Sequence, residues 1–161
     1  MIQRIQSIFL FGTALITGLM FVMPAGTIVV PGQGIFEYYT SQVVMTGEMP
    51  EHMATNWVSL ILNVLITLLA LITVFVRVPK SKSVRPTLLL QLRLCLVNLV
   101  FMLGMLILLW LQLRGMADDI HAEWSAGLGF SFPIVGIILT WIAIRYIVKD
   151  IALLRSYDRI R

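Results

Sequence analysis

The residues best suited to bind a metal ion lie in two hydrophilic segments between long apolar stretches. Carboxylates and imidazoles together can bind a divalent cation such as Zn²⁺ or Mn²⁺. The candidates are Glu48, Glu51 and His52 in the first segment and Asp118, Asp119, His121 and Glu123 in the second. Their spacing matches no established signature, such as two histidines four residues apart on one helix. The pattern favours acid-rich loops, and we expect neither a bound metal nor a cofactor.

A catalytic nucleophile is equally poorly indicated. Cys95 is the only cysteine of the chain, so it cannot form an intramolecular disulfide. It lies near the start of an apolar stretch, where a buried thiol is unreactive. We therefore expect no enzyme, and a metal-dependent enzyme of the outer face is kept only as a third hypothesis.

A few amide and hydroxyl side chains lie within the apolar stretches. Asn63 and Thr67 share one helical face, and Gln91 and Asn98 share a face of the next apolar stretch. Such side chains usually form hydrogen bonds between membrane helices, which is the interpretation that we favour. The alternative is a polar path for a transported substrate. Acidic residues, the usual mark of ion or proton pathways, are absent from the centres of these stretches.

Small residues predict where helices approach one another closely. Membrane helices associate through van der Waals contact, which small side chains permit. The predicted contact positions are Ala14, Gly18, Gly104, Gly136 and Thr140. We expect the helix faces that carry them to pack together.

The elements that position all of these residues are four apolar stretches. Hydrophobic residues make up 59% of the chain and charged residues only 12%, whereas soluble domains contain roughly 25% charged residues. Because about 20 apolar residues cross a bilayer as a helix, the stretches predict spans at about 5–23, 57–76, 94–113 and 132–148. Residues 1–161 then form one membrane domain, an all-α four-helix bundle, in which the first span is retained as an uncleaved helix.

The distribution of charge predicts the orientation of the bundle. Eleven of the 12 Lys and Arg residues lie on one side of the four spans, and six of the eight acids lie on the other. Basic residues are retained on the cytoplasmic side. Both termini, the loop 77–93 and the tail 149–161 are therefore expected in the cytoplasm, and the loops 24–56 and 114–131 outside. The net charge of +4 then indicates contact with anionic lipid on the cytoplasmic face, and nucleic acid is not an expected partner.

Two details concern the outer loop and the fourth span. Residues 27–30 and 35–39 favour strands and flank Pro31-Gly32-Gln33-Gly34, which predicts a small β-hairpin. We expect it to contact the outer ends of the helices through Phe36, Tyr38 or Tyr39. Trp141 lies in the middle of the fourth span, and we expect its indole to pack against a neighbouring helix.

The two ends of the chain carry the most distinctive motifs. The start Met-Ile-Gln-Arg-Ile-Gln, the Gln91-Leu92-Arg93-Leu94-Cys95 helix entry and the end Arg155-Ser156-Tyr157-Asp158-Arg159-Ile160-Arg161 resemble domain-of-unknown-function family 4293, an uncharacterised Bacteroidetes family. The resemblance covers essentially the whole chain. It implies a bacterial inner-membrane location and four spans, and it supplies no activity and no catalytic residues.

The negative findings leave one favoured functional hypothesis. A small chain without ionisable residues in its core suits an accessory or scaffolding subunit of a larger envelope complex, bound to another membrane protein or to itself. The alternative is a small oligomeric transporter or channel in which Asn63, Gln91 and Asn98 line a polar path.

Overall fold

Four helices and five strands build the protein. The computed structural model describes residues 3–30, 34–46, 51–76, 84–119 and 122–158. The helices are α1 (Gln3–Leu19), α2 (Trp57–Phe75), α3 (Val84–Asp119) and α4 (Leu128–Asp158). The strands are β1 (Gly26–Val30), β2 (Gly34–Tyr38), β3 (Gln42–Thr46), β4 (Glu51–Thr55) and β5 (Glu123–Ala126). Helices α1 and α3 each pack against both α2 and α4, so the four helices are arranged in a ring in chain order.

Three of the helices are long and apolar enough to cross a membrane, which indicates a membrane protein. They comprise Trp57–Phe75 in α2, Thr87–Asp119 in α3 and Leu128–Leu153 in α4. The apolar part of α1, Gln6–Leu19, is shorter. The apolar runs contain few of the residues that interrupt a helix, and in a bilayer a helix satisfies every backbone group internally.

The helix boundaries differ from those expected from hydropathy. Helix α3 has 36 residues and α4 has 31, so they extend over about 54 and 46 Å at 1.5 Å per residue. Residues 84–93 and 114–119, which we expected in loops, are helical, and the tail residues 149–158 continue α4. Helix α4 begins at Leu128, four residues before the predicted span, so Pro133 lies inside it. Hydropathy locates the hydrocarbon-crossing part of a helix, whereas packing of residues such as Ala117 extends the helix beyond it.

A five-stranded antiparallel sheet corrects the all-α prediction. The predicted hairpin is confirmed as β1 and β2. Val30 pairs with Gly34, and the φ angle of Gly34 is 121°. The strand order is β4-β3-β2-β1-β5, so β5, from the segment between α3 and α4, completes the sheet beside β1. Gly26 pairs with Ala126 across this junction. Such a long-range pairing leaves no signal in the local sequence pattern.

The interior consists of two apolar clusters. The cluster beneath the sheet joins Ile28, Tyr38 and Val43 of the strands to Met105, Leu109 and Leu113 of α3 and other helix residues. The second cluster lies towards the opposite end of the helices and contains Leu10, Cys95, Ala143, Ile144 and Ile147. The sheet therefore caps one end of the helix bundle.

Trp141 is placed differently from our expectation. Its side chain is 56% exposed on the outside of the bundle, so the prediction that it packs against a neighbouring helix is wrong. The buried face of α4 contains Gly136, Thr140 and Ala143, which recur at intervals of four and three residues. Trp141 does not lie on that face.

Candidate functional site

The structure separates the candidate metal ligands. Glu51 and His52 lie on β4 at one edge of the sheet, whereas Glu123 lies on β5 at the opposite edge. Four strand spacings of about 4.8 Å put the two edges roughly 19 Å apart. Glu48 and His121 lie outside the described residues.

Two further metal candidates are exposed at the end of α3. Asp118 lies 3.6 Å from the Nε of Arg114 in an ion pair, and Asp119 is also exposed. Within the described residues no three His, Cys, Asp or Glu side chains lie together in a group that could hold a metal ion.

The best-defined polar site is instead the junction between the sheet and the helices. The hydroxyl of Tyr38 on β2 donates to Oε1 of Gln112 on α3 at 2.5 Å. Ser59 of α2 donates to the same oxygen at 2.6 Å, and its Oγ lies 3.4 Å from the Tyr38 hydroxyl. One acceptor therefore links β2, α2 and α3, and we call these three residues the junction triad.

Burial governs the chemistry of the junction triad. The side chain of Tyr38 is completely buried, and this burial raises the pKa of its phenol above 10.0, partly offset by the hydrogen bond with Ser59. A phenol held neutral and donating to an amide is a structural hydrogen bond. Sequence reasoning proposed Tyr38 as an aromatic contact but missed Ser59 and Gln112, whose only local signal was a polar residue near a span end.

Tyr39, the residue after Tyr38, forms a similar hydrogen bond nearer the surface. The hydroxyl of Tyr39 donates to Glu37 at 2.7 Å. This hydrogen bond to the carboxylate, followed by burial, raises the pKa of the Tyr39 phenol. Tyr39 is less buried than Tyr38, and its hydroxyl bonds to a residue of its own strand region instead of a helix.

A backbone clamp joins the start of α4 to the chain that follows α1. The amide of Gly127 donates to the carbonyl of Ala25, and the amide of Gly129 donates to the carbonyl of Pro24, both at 2.9 Å. A Cβ at Gly127 would lie 2.6 Å from the Pro24 oxygen, and one at Gly129 would lie 2.8 Å from it. Only glycine permits this approach, so both positions require it. The first strand and the last helix are thereby held together.

The four predicted interhelical polar residues behave differently from one another. Gln91 on α3 donates to the carbonyl of Thr73 on α2 at 3.3 Å, which joins the two helices. Thr67 donates within its own helix to the carbonyl of Asn63. Asn63 and Asn98 are almost completely buried, yet neither amide atom of Asn63 has a partner among the described residues, and the Oδ1 of Asn98 has none.

The predicted small residues also divide into two groups. A Cβ at Gly136 of α4 would lie 3.0 Å from Met102 of α3, so the two helices approach closely there. Thr140 is buried, and its hydroxyl lies 3.5 Å from that of Thr13 on α1. Ala14 is buried as well. A Cβ at Gly18 or Gly104 would meet no described atom within 4 Å, so neither lies at a close approach.

One buried polar pair was missed by the sequence reasoning. The amide of Gln6 on α1 donates to Oδ2 of Asp150 on α4 at 2.5 Å, and both side chains are buried. The Oδ1 of Asp150 has no partner among the described residues. Asp150 lies three residues after the buried Ile147, so it shares the inner face of α4. This spacing could have indicated its burial, but the count of charges did not take it into account.

Comparison with known proteins identifies the family. The family described as Domain of unknown function (DUF4293) matches residues 2–160 of the chain. The chain therefore belongs to this family. None of the curated proteins matches it.

Proposed function

We propose that this protein of the DUF4293 family is an accessory or scaffolding subunit of an envelope complex in a bacterial inner membrane. In this proposal all four helices span the membrane, both termini lie in the cytoplasm and the sheet lies outside. The sheet that caps the bundle is the observation that carries the proposal. It presents an ordered surface beyond the bundle, whereas the polar groups grouped at the junction suit a structural role and not catalysis.

The surface of α1 supports its assignment as the fourth span. Ile8, Phe11, Leu15 and Leu19 are exposed and recur at helical spacing, so they form an apolar stripe along the outside of the helix. The opposite face contains Leu10, Ala14 and hydroxyl groups that pack within the bundle. Because α1 lies between α2 and α4 in the ring, this stripe would face the same lipid as theirs.

The outward face of the sheet supports a protein partner. Val29 and Ile35 are paired across β1 and β2 and are 47% and 45% exposed. Glu123 lies beside Val29 on β5, and Glu37 lies on β2 two residues from Ile35. This combination suits a partner that offers aliphatic side chains and basic groups, since opposite charges guide association. The partner in this proposal is another membrane protein of the envelope.

A purification of the protein from its native membrane in mild detergent tests this function. A C-terminal tag, with mass spectrometry of the eluate, should recover one partner in stoichiometric amount. Ile35→Arg should abolish that recovery because it places a positive charge against a basic partner. Gly115→Arg is the matched control, because it adds the same side chain in open space on α3. Recovery of the protein alone, or equal recovery with Ile35→Arg, would overturn the proposal.

The unpartnered amides favour a second candidate function, a small transporter or channel. Both amide atoms of Asn63 and the Oδ1 of Asn98 lie in the bundle interior without a partner among the described residues, which suits contact with a polar solute. A liposome flux assay separates the two functions. A pathway predicts flux that Asn98→Leu abolishes, whereas a scaffold predicts no flux in either protein.

A further inference from the structure

The exposed face of α4 changes character along its length. Ile134, Ile138 and Trp141 are 42%, 53% and 56% exposed. Arg145 and Lys149 are also exposed and follow Trp141 at intervals of four residues. Residues three or four apart share one helix face. The helix therefore presents an apolar stripe that ends in an aromatic ring and then two cations.

One described carboxylate, that of Asp150, lies near the cations at this end of α4 and interacts electrostatically with Lys149. Neither Arg145 nor Lys149 forms an ion pair within the described part of the chain, whereas Arg114 pairs with Asp118 there. Asp150 is adjacent to Lys149 in sequence, but its side chain is buried and accepts a hydrogen bond from Gln6. The one nearby described carboxylate therefore points into the bundle while the two cations point out.

Helix α3 places a third cation at the same level. Met102 of α3 lies against Gly136 and Thr140 of the antiparallel α4. Arg93 lies nine residues before Met102 on α3. Ile147 lies nine residues after position 138, the midpoint between Gly136 and Thr140 on α4, and the two helices run in opposite directions. Arg93 is thus level with the segment between Arg145 and Lys149. It is exposed and also lacks an ion pair within the described residues.

The apolar part of the stripe continues on α3. Leu96, Val100 and Leu103 follow Arg93 towards the sheet end of the helix and are 47%, 62% and 42% exposed. On both helices, therefore, exposed hydrocarbon lies towards the middle of the bundle and exposed cations lie towards the end that is opposite to the sheet. The two helices are in contact along this region.

We propose that the outer surface of α3 and α4 binds one anionic phospholipid. Its headgroup phosphate lies among Arg93, Arg145 and Lys149, and an acyl chain lies along Ile138 and Trp141. Guanidinium groups donate two parallel hydrogen bonds to phosphate oxygens, and basic pockets between spanning helices suit anionic headgroups. The inference rests on the proposed membrane orientation, in which these cations lie at the cytoplasmic surface, and it is independent of the proposed protein partner.

Quenching of tryptophan fluorescence by brominated acyl chains tests the site in purified protein. The probe is phosphatidylglycerol with brominated chains, titrated into phosphatidylcholine micelles, and brominated phosphatidylcholine is the charge control. The part of the quenching that disappears in Trp141→Phe reports occupancy of the site. We expect this part to saturate at a lower fraction of phosphatidylglycerol than of phosphatidylcholine.

Charge variants give the decisive comparison. The double variant Arg145→Gln, Lys149→Gln should weaken phosphatidylglycerol binding about thirtyfold, as expected for the loss of two charges near an anionic headgroup. Arg114→Gln, which removes an exposed arginine at the sheet end, should leave binding unchanged. Equal quenching by the two lipids in the unaltered protein, or equal phosphatidylglycerol binding by the double variant, would overturn the inference. A missing protein partner would leave this result unaffected, so the two proposals fail separately.

Discussion

The sheet end of the molecule and the middle of the helix bundle are held together in different ways. At the sheet end, Gly127 and Gly129 donate backbone hydrogen bonds to the chain after α1, and one Gln112 oxygen accepts from both Tyr38 and Ser59. In the middle of the bundle, the amide of Asn63 is buried without a partner among the described residues. Contacts there are mostly between apolar side chains such as Ile66, Met102 and Met105.

This difference shows where the sequence specifies a unique arrangement. Hydrogen bonds and close backbone approaches depend on direction and distance, so few alternative packings satisfy them. Apolar contacts between helices depend mainly on shape and tolerate changes of similar volume. Substitutions at the sheet end should therefore be costly, whereas some in the bundle should be neutral or even stabilising.

Gly129→Ala should produce the largest effect. The new Cβ would lie 2.8 Å from the Pro24 oxygen and 2.9 Å from the Met23 oxygen, and backbone atoms cannot move aside cheaply. We expect a loss of roughly 1–3 kcal/mol, as for overpacking in a core. The measurement is the midpoint of thermal unfolding in detergent, followed by tryptophan fluorescence. A midpoint equal to that of the unaltered protein would show that the clamp does not determine stability.

Asn63→Leu should be neutral or stabilising, in contrast to the removal of a hydrogen-bonding group at the sheet end. It removes a buried amide that has no partner among the described residues, and an unsatisfied polar group costs about 1–3 kcal/mol. The larger leucine side chain offsets part of this gain. Thermal unfolding in detergent gives the result. A clearly lower midpoint would mean that the amide is satisfied in the membrane and would strengthen the transporter hypothesis.

Tyr38→Phe should cost about 1 kcal/mol, the usual net contribution of one hydrogen bond. Gln112 keeps its bond from Ser59, so its acceptor oxygen stays satisfied. Tyr39→Phe is the matched control and should cost less, because Tyr39 is more exposed and its hydroxyl bonds to Glu37 two residues away. Equal losses from the two variants would contradict the role of the junction triad.

The same tyrosine predicts a pH dependence. Burial raises the pKa of the Tyr38 phenol in the folded protein above its ordinary value of 10.0. Stability from the neutral phenol is therefore complete below pH 10 and is lost as the pH rises from 10 through the folded pKa. Unfolding midpoints measured across this alkaline range should fall more steeply for the unaltered protein than for Tyr38→Phe. Parallel curves would show that Tyr38 does not titrate with unfolding.

Gly104→Ala should have the smallest effect and the opposite sign to Gly129→Ala. A Cβ there meets no described atom within 4 Å, and alanine favours a helix interior over glycine by up to about 1 kcal/mol. The unfolding midpoint should stay the same or rise slightly. A fall as large as that of Gly129→Ala would remove the contrast between the two regions.

Sequence patterns predicted the features that depend on local composition. Hydropathy predicted four spans, and three of the corresponding helices, α2, α3 and α4, are long and apolar enough to cross a membrane. The strand-forming residues around Gly34 predicted the β1–β2 hairpin. Strand β5 was missed because its partner, β1, lies about 100 residues away in the sequence, so no local pattern predicts the pairing. The junction triad was missed for the same reason, since Tyr38, Ser59 and Gln112 come from three separate elements.

Interhelical contacts were the least predictable part. Helical spacing placed Asn63, Gln91 and Asn98 on buried faces, where the structure has them. Helical spacing could not determine which of these side chains would form hydrogen bonds, because this depends on the axial position of one helix relative to its neighbour. Gln91 of α3 reaches a carbonyl of α2, whereas the amide of Asn63 on α2 finds no partner on any described neighbouring element.

The most direct test of the account is the membrane topology. In a Cys95→Ala background, Ser125→Cys on the exposed sheet and Ala152→Cys on the exposed end of α4 provide reporters at the two ends of the bundle. A membrane-impermeant maleimide applied to intact spheroplasts should label Ser125→Cys at once and Ala152→Cys only after permeabilisation. A protease-sensitive tag at the N-terminus should likewise be protected until permeabilisation. Labelling of Ala152→Cys in intact spheroplasts, or digestion of the N-terminal tag there, would contradict four spans with both ends in the cytoplasm.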